Sequence, residues 1–203
     1  AFTEYTPVEP KKPAVPEKVE GNFEEIARII NDAQRPFIYF GGGVRLSGAG
    51  DELRELMQKA NIPASYTLMA AGVLGYGEPL NMGMIGMHGN VSCNRAADQC
   101  DVMLAIGTRF SDRVTLNPDC FGVRAKIIHM DIDPSEINKN VTVDYSLIGD
   151  IKHILQQLNQ YIRPAEHKEW LQQIAEWQAR DYRPKDDPTV LKPHQLIDAI
   201  CRM

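Results

Sequence analysis

Residues 36–44 read PFIYFGGGV, and the fold is decided by how this stretch is taken. A short, uninterrupted apolar run that breaks into glycines predicts a strand buried on both faces and closed by a tight turn. Just before it, NFEEIARIINDAQ (22–34) places Asn22 as an N-cap with Glu25 three residues on. Phe23, Ile26, Ile29 and Ile30 then share one helical face, and Pro36 closes the helical pattern. Helix, buried strand and glycine turn in that order are the reading of a parallel α/β sheet.

Working outward, the same alternation continues. GAGDELRELMQKAN (48–61) predicts a helix with Leu53, Leu56 and Met57 inward, and IPASY (62–66) a strand. Residues 67–89 read as a loop, NVSCNRAADQC (90–100) as a short helix and DVMLAIG (101–107) as a fully buried strand. AKIIHMDID (125–133) predicts another strand ending at Asp131 and Asp133. DIKHILQQLNQYI (150–162) is an amphipathic helix with Ile151, Ile154, Leu155 and Leu158 on one side. Strands alternating with helices over residues 22–162 predict a three-layer α/β domain, a doubly wound parallel sheet with helices on both faces. HKEWLQQIAEWQARDY (167–182) adds a helix whose Trp170, Ile174 and Trp177 form an apolar stripe, suited to packing on its own or a neighbouring domain.

A chain of 203 residues with 43% hydrophobic side chains can bury one sizeable core. Its formal charge of −5, with no basic cluster, points away from nucleic acid and anionic membrane and towards a small molecule or another protein as partner. The cysteines show no CxxC spacing and read as reduced thiols; Cys93, Cys100 and His88 match no zinc template, so no metal is expected. No apolar run reaches the ~20 residues of a membrane span, and AFTEYTPVEPKK lacks the order of a signal peptide, so the cytoplasm is the expected location.

Both ends read as joints. Residues 1–21 carry Pro7, Pro10, Pro13 and Pro16 among charged and small residues, the composition of an extended linker. RPKDDPTVLKPHQ (183–195) is a second polar connector, after which LIDAICRM begins a further helical pattern. The expectation is a middle piece of a longer chain: 1–21 a linker from a preceding domain, 22–162 a nucleotide-binding domain, 163–203 a helix, a linker and the start of a following domain.

In such sheets ligands bind beyond the carboxyl ends of the strands. The segments to inspect are therefore GGGV (41–44), TLMAAG (67–72), GTRFSDRVT (107–115) and DIDP (131–134). GGGV is not the GxGxxG fingerprint, and a turn needing positive φ explains its glycines equally well. Arg109 and Arg113 are four apart; a helical segment would put them on one side, able to fork onto phosphate or carboxylate oxygens. Asp112 could instead neutralise one of them. Asp131 can accept hydrogen bonds from a ribose or cap the turn before Pro134. GMIGMHGN (83–90) supplies glycines for close backbone approach, methionines for adaptable apolar contact, and His88. No hydrolytic triad, paired acid carboxylates or phosphate loop is present, so nucleotide binding is the most the residues alone support.

Taken together, GGGV, TLMAAG, GMIGMHGN, GTRFSDRVT, AKIIHMDIDPSEINKN and IGD resemble the central domain of acetohydroxyacid synthases (acetolactate synthases) over about residues 20–160. These are thiamine-diphosphate enzymes of branched-chain amino-acid synthesis, and the resemblance implies a Rossmann-like middle domain that binds FAD in a structural role without net redox turnover. Carried over by motif, Gly42 and Gly43 would approach the flavin nucleotide. Thr67, Leu68 and Met69 would lie along it, and Gly86, Met87, His88 and Gly89 would pass beside the flavin. Gly107, Arg109, Arg113 and Val114 would continue the site, Asp131 and Ile132 would hold the adenosine end, and Gly149 with Asp150 would close it.

The resemblance also implies that Arg113 meets the carboxylate of the second 2-ketoacid, with Met87 and Asp112 flanking that channel. Thiamine diphosphate and Mg2+ would sit in flanking domains absent from this chain, and the full enzyme would be a homo-oligomer with a small regulatory subunit. The chain departs from the family pattern at RFSDR, where RFDDR is usual, and at TLMAAG followed by Val73, Leu74 and Gly75, where TLMGLG and a proline are usual. Alternatives in the same fold are a glyoxylate carboligase type of relative and a flavin-free catabolic acetolactate synthase, of which RFSDRVT with GMHG disfavours the second. A stand-alone module binding ADP is an alternative of another class.

Overall fold

The computed structural model describes residues 19–202 except positions 76, 183 and 186–188. The proline-rich stretch 1–18 of the expected leading linker therefore lies outside the described residues. Helix α1 (Phe23–Asp32) starts as the sequence requires: Asn22 accepts the Glu25 N–H at 3.1 Å, a cap worth about 1 kcal/mol. Ile26, Ile29 and Ile30 are buried, each contributing roughly 1.5–3 kcal/mol. Strand β1 (Pro36–Phe40) follows, with proline at its first position, where no ladder donor is lost.

After β1 come α2 (Gly42–Leu46), α3 (Gly50–Ala60), β2 (Ala64–Tyr66), β3 (Asn81–Met84) and α4 (Val91–Gln99). The second half runs β4 (Val102–Ile106), α5 (Asp112–Thr115), β5 (Lys126–Asp131), β6 (Tyr145–Ile148), α6 (Ile151–Tyr161), α7 (Lys168–Gln178) and α8 (Pro193–Cys201). The six strands form one parallel sheet in the order β3-β2-β1-β4-β5-β6. This is the doubly wound arrangement, and its direction of winding reverses between β1 and β4.

Side-chain alternation splits the core into two layers. Ile38, Phe40, Leu104, Ile106, Ile128 and Met130 face α1, α3 and α6. Phe37, Tyr39, Met103, Ala105 and Ile127 face α4 and α7. Burial on both faces is why β1 and β4 read as unbroken apolar runs. Trp170 and Ile174 of α7 are buried in the second layer, and the Trp170 Nε1–H donates to the Pro36 carbonyl at 3.0 Å. The tryptophan stripe thus packs on this domain, with Trp177 edge-on to Trp170.

Two strands fall outside the sequence reading. β3 lies within the stretch read as a loop; it is an edge strand containing Asn81 and Gly83, residue types that β-structure disfavours. β6 is the opposite edge and only four residues long, with Glu20 bridged antiparallel to its Ile148. Helix α8 buries none of its residues.

Candidate functional site

The site is built where the sheet's winding reverses, from the turns after β1 and β4. Gly41 N–H donates to the Ile106 carbonyl, Gly43 N–H to that of Gly107, and Gly107 N–H to that of Met130, at 2.9, 3.0 and 2.7 Å. The two turns meet backbone to backbone. A Cβ on Gly43 would stand 2.7 Å from the Gly107 Cα, and one on Gly41 2.4 Å from the Gly107 oxygen. Glycine is required here by close approach, and at Gly107 by φ +57° as well. The absence of side chains thereby lets the two turns pack against each other.

The turn after β2 adjoins them. Thr67 N–H donates to the Phe40 carbonyl at 2.9 Å, leaving Leu68 and Met69 exposed beside α2. Ala70, one of the departures from the family pattern, is buried in the core, so its methyl does not face solvent. Leu46, Leu68, Met69 and Met87 are each more than half exposed, and Ile132 is also exposed. Large apolar side chains left in water at these strand ends suit an apolar, extended ligand.

Beyond β3, GMHG is held through hydrogen bonds that its backbone makes to Asn94 and Arg113. Asn94 brackets Gly86, accepting its N–H at 2.9 Å and donating to its carbonyl at 3.0 Å. Gly86 adopts φ +103°, and a Cβ there would meet the Arg113 oxygen at 2.7 Å. Met87 N–H donates to that same Arg113 oxygen at 2.9 Å. The structure therefore joins GMHG to RFSDRVT directly. Met87, Asp112 and Arg113 are exposed, Val114 and Gly89 are half-buried, and His88 lies exposed on the turn.

The arginine pair differs from the helical premise. Only Asp112–Thr115 is helical, so Arg109 lies outside α5 and shares no helical face with Arg113. Phe110 stands between them at φ +48°, buried against Tyr39, Phe121 and His129 with ring centroids 5.0–6.0 Å away. Arg109 projects outward from this anchor and lies 3.9 Å from Glu136. The Asp112 carboxylate accepts from Ser111 Oγ and Arg113 N–H, and among the described residues it forms no ion pair with either guanidinium. Ser111 caps α5, a task serine performs as well as the aspartate usual in the family.

At the end of β5, Asp131 takes the Asp133 N–H on Oδ1 at 3.0 Å, and its carbonyl takes the Gly149 N–H at 3.0 Å. Asp131 therefore caps its turn, and burial pushes its carboxyl above the usual range. Asp150 is the N-cap of α6, accepting from Lys152 and His153 N–H. Cys93 and Cys100 lie in the core, where burial raises both thiols, and they do not converge with His88.

A cavity of about 390 Å³ opens beside the β4 and β5 ends, lined by Arg109, Phe110, Ser111, Asp112, Glu136, Lys139 and Asn140 among others. Glu136, Lys139 and Asn140 were not singled out in the sequence. The signal was present in DIDPSEINKN: Lys139 pairs with Glu136 one turn back at 2.8 Å, and Asn140 donates to the Arg109 carbonyl at 2.9 Å. A larger cavity, about 490 Å³, lies at the opposite ends of β2 and β3 against α7. None of the residues expected to form the site lines it, and the doubly wound fold binds at carboxyl ends, so the smaller cavity is the relevant one.

Comparison with known proteins bears on what this arrangement serves. A family model described as the thiamine pyrophosphate enzyme central domain matches residues 23–158. The probable acetolactate synthase large subunit of Methanocaldococcus jannaschii is 42% identical over 178 residues, 86% of this chain and 30% of that protein. The acetolactate synthase of Mycobacterium leprae is 38% identical over 183 residues, 86% of this chain and 29% of its own length. A probable chloroplastic acetolactate synthase 2 of rice (Oryza sativa subsp. japonica) is 44% identical over 150 residues, 74% and 22% respectively. The chain thus spans less than a third of the length of these relatives.

Proposed function

The chain belongs to the thiamine pyrophosphate enzyme family as its central domain, and we propose that it is the FAD-binding domain of an acetolactate synthase. That enzyme is a transferase condensing pyruvate with pyruvate or 2-ketobutyrate to 2-acetohydroxyacids, the route to valine, leucine and isoleucine. The observation that supports the reading is the cavity beside the β4 and β5 ends, lined by Arg109, next to the close-packed β1–β4 turn junction and the exposed apolar side chains of Leu68, Met69 and Met87. An arginine and exposed apolar side chains at the carboxyl ends of a doubly wound sheet suit a long, flat cofactor that carries phosphate.

In this reading Gly42 and Gly43 border the nucleotide, Leu68, Met69 and Met87 cover apolar ring surface, and Arg109 meets phosphate oxygens. Asp131 accepts ribose hydroxyls, with Ile132 packing on the adenosine end. Thiamine diphosphate with Mg2+, held by flanking domains, supplies the carbanion chemistry, which the protein positions. Arg113, exposed at the edge of the GMHG junction, orients the carboxylate of the second 2-ketoacid by a charge-assisted fork. The words "large subunit" in the name of the Methanocaldococcus relative support a smaller regulatory partner, and the full enzyme is proposed as a cytoplasmic homo-oligomer.

The test is made in the longer enzyme containing this domain. Arg113→Ala should reduce acetolactate formation by about a hundredfold, the scale of a lost charge-assisted contact, while flavin content stays near one per chain. Equal loss of both would overturn the role given to Arg113. The 203-residue chain itself, supplied with pyruvate, thiamine diphosphate, Mg2+ and FAD, should form no acetolactate.

A further inference from the structure

His129 is fully buried on β5, in register with Ala105 of β4 and Ser146 of β6. A buried imidazole costs free energy unless its polar atoms are used, and an aliphatic side chain would fill the same layer without that cost. Its Nε2 lies 2.8 Å from the Thr108 carbonyl oxygen. A carbonyl only accepts, so this contact assigns the ring proton to Nε2. The same Nε2 is 3.9 Å from Asp131 Oδ2. The N–H thus donates to the turn that leaves β4, with the carboxylate that ends β5 beside it in electrostatic reach but beyond hydrogen-bond distance, and Nδ1 has no hydrogen-bond partner among the described residues. The Phe110 ring packs edge-on to the imidazole with centroids 5.0 Å apart, which blocks rotation. On Asp131 the Asp133 N–H holds Oδ1, so Oδ2 is the oxygen on the His129 side.

We propose that His129 is a positioning residue for Asp131, fixing the carboxylate that receives a ribose hydroxyl and tying it to the Gly107–Arg109 turn. The assignment rests on the nucleotide reading of the site and deepens it: the ligand's nucleoside end is recognised through its sugar hydroxyls. Burial lowers the His129 pKa and favours the neutral ring this geometry needs.

The probes are ADP and 2′,3′-dideoxy-ADP, titrated calorimetrically against the 203-residue chain. The unaltered chain should prefer ADP by about tenfold, one charge-assisted hydrogen bond's worth of selectivity. His129→Phe, which keeps a ring and removes the N–H, should abolish that preference while leaving dideoxy-ADP binding nearly unchanged. His129→Gln, which restores an N–H donor, should recover it. Should the phenylalanine variant not fold, nitrogen NMR of the unaltered chain decides, with an Nε2–H tautomer whose Nε2 signal shifts with ADP and not with the dideoxy analogue. Equal weakening of both nucleotides by His129→Phe, or an Nδ1–H tautomer, would overturn the positioning role alone. Failure of the unaltered chain to bind either nucleotide or FAD would overturn the nucleotide reading itself.

Discussion

Gly43 donates its N–H to the Gly107 carbonyl at 3.0 Å, and the Gly107 Cα lies 2.7 Å from where a side chain on Gly43 would begin. This contact welds the ends of the two central strands. Gly43→Ala should therefore destabilise the domain by about 1–3 kcal/mol, the usual cost of overpacking, and should also weaken flavin binding. Gly75→Ala, where an added Cβ meets nothing within 4 Å, should leave both unchanged. Urea unfolding and flavin titration of the two variants measure this contrast.

Asn94 reaches GMHG from α4 and serves both polar groups of Gly86. Asn94→Ala strands that N–H and carbonyl and should cost about 1–3 kcal/mol. Because Met87 donates to the Arg113 carbonyl beside Gly86, the loss should propagate to the proposed flavin-facing segment and lower FAD affinity more than a comparable loss elsewhere. A thermal melt and a flavin titration report the two effects; unchanged affinity in a destabilised variant would show that the segment is not preorganised by Asn94.

Trp170 belongs to the same core as β1, although it lies beyond the stretch that the alternating pattern marked as a domain. Trp170→Ala should cost about 3–5 kcal/mol as a large buried truncation. Trp170→Phe should cost less, losing mainly the hydrogen bond to the Pro36 carbonyl, about 1 kcal/mol. Trp177, then the remaining tryptophan, gives the fluorescence signal for urea midpoints.

Burial depresses the pKa of His129 below its ordinary 6.5, and does the same at His167. A base depressed in the folded state stabilises it above the unfolded value and loses that contribution as pH falls through the folded value. The Asp131 carboxyl, raised by burial, runs the other way and gains stability as pH falls towards 3.8. Stability should accordingly decline on acidification below about 6.5, and His129→Gln should flatten that decline. Chemical denaturation across this range in both proteins provides the check.

The central strands were legible because PFIYF and DVMLAIG are buried on both faces, and α1, α3 and α6 because their apolar spacing matches one helical stripe. β3 was not, since Asn81 and Gly83 are tolerated there only by pairing with β2. In the site, the glycines were visible as types, while their necessity at Gly43 and Gly86 comes from backbones of Gly107 and Arg113 distant in sequence. Counting residues could not show that Phe110 would turn into the core and part the two arginines, because that depends on an aromatic cluster drawn from β1, β5 and the turn at Phe121. His129 and Glu136 were hidden for a related reason: a polar residue inside an apolar strand or turn gains its meaning from its partners.

The most direct test of the account is a titration of the 203-residue chain with FAD, followed by flavin fluorescence, with ADP and NAD as competitors. Saturable binding of one FAD, displaced weakly by ADP and not by NAD, and lost in Gly43→Ala, is the predicted result. A folded chain that binds no FAD, or that prefers ADP or NAD, would contradict the assignment of the carboxyl-end site to a flavin.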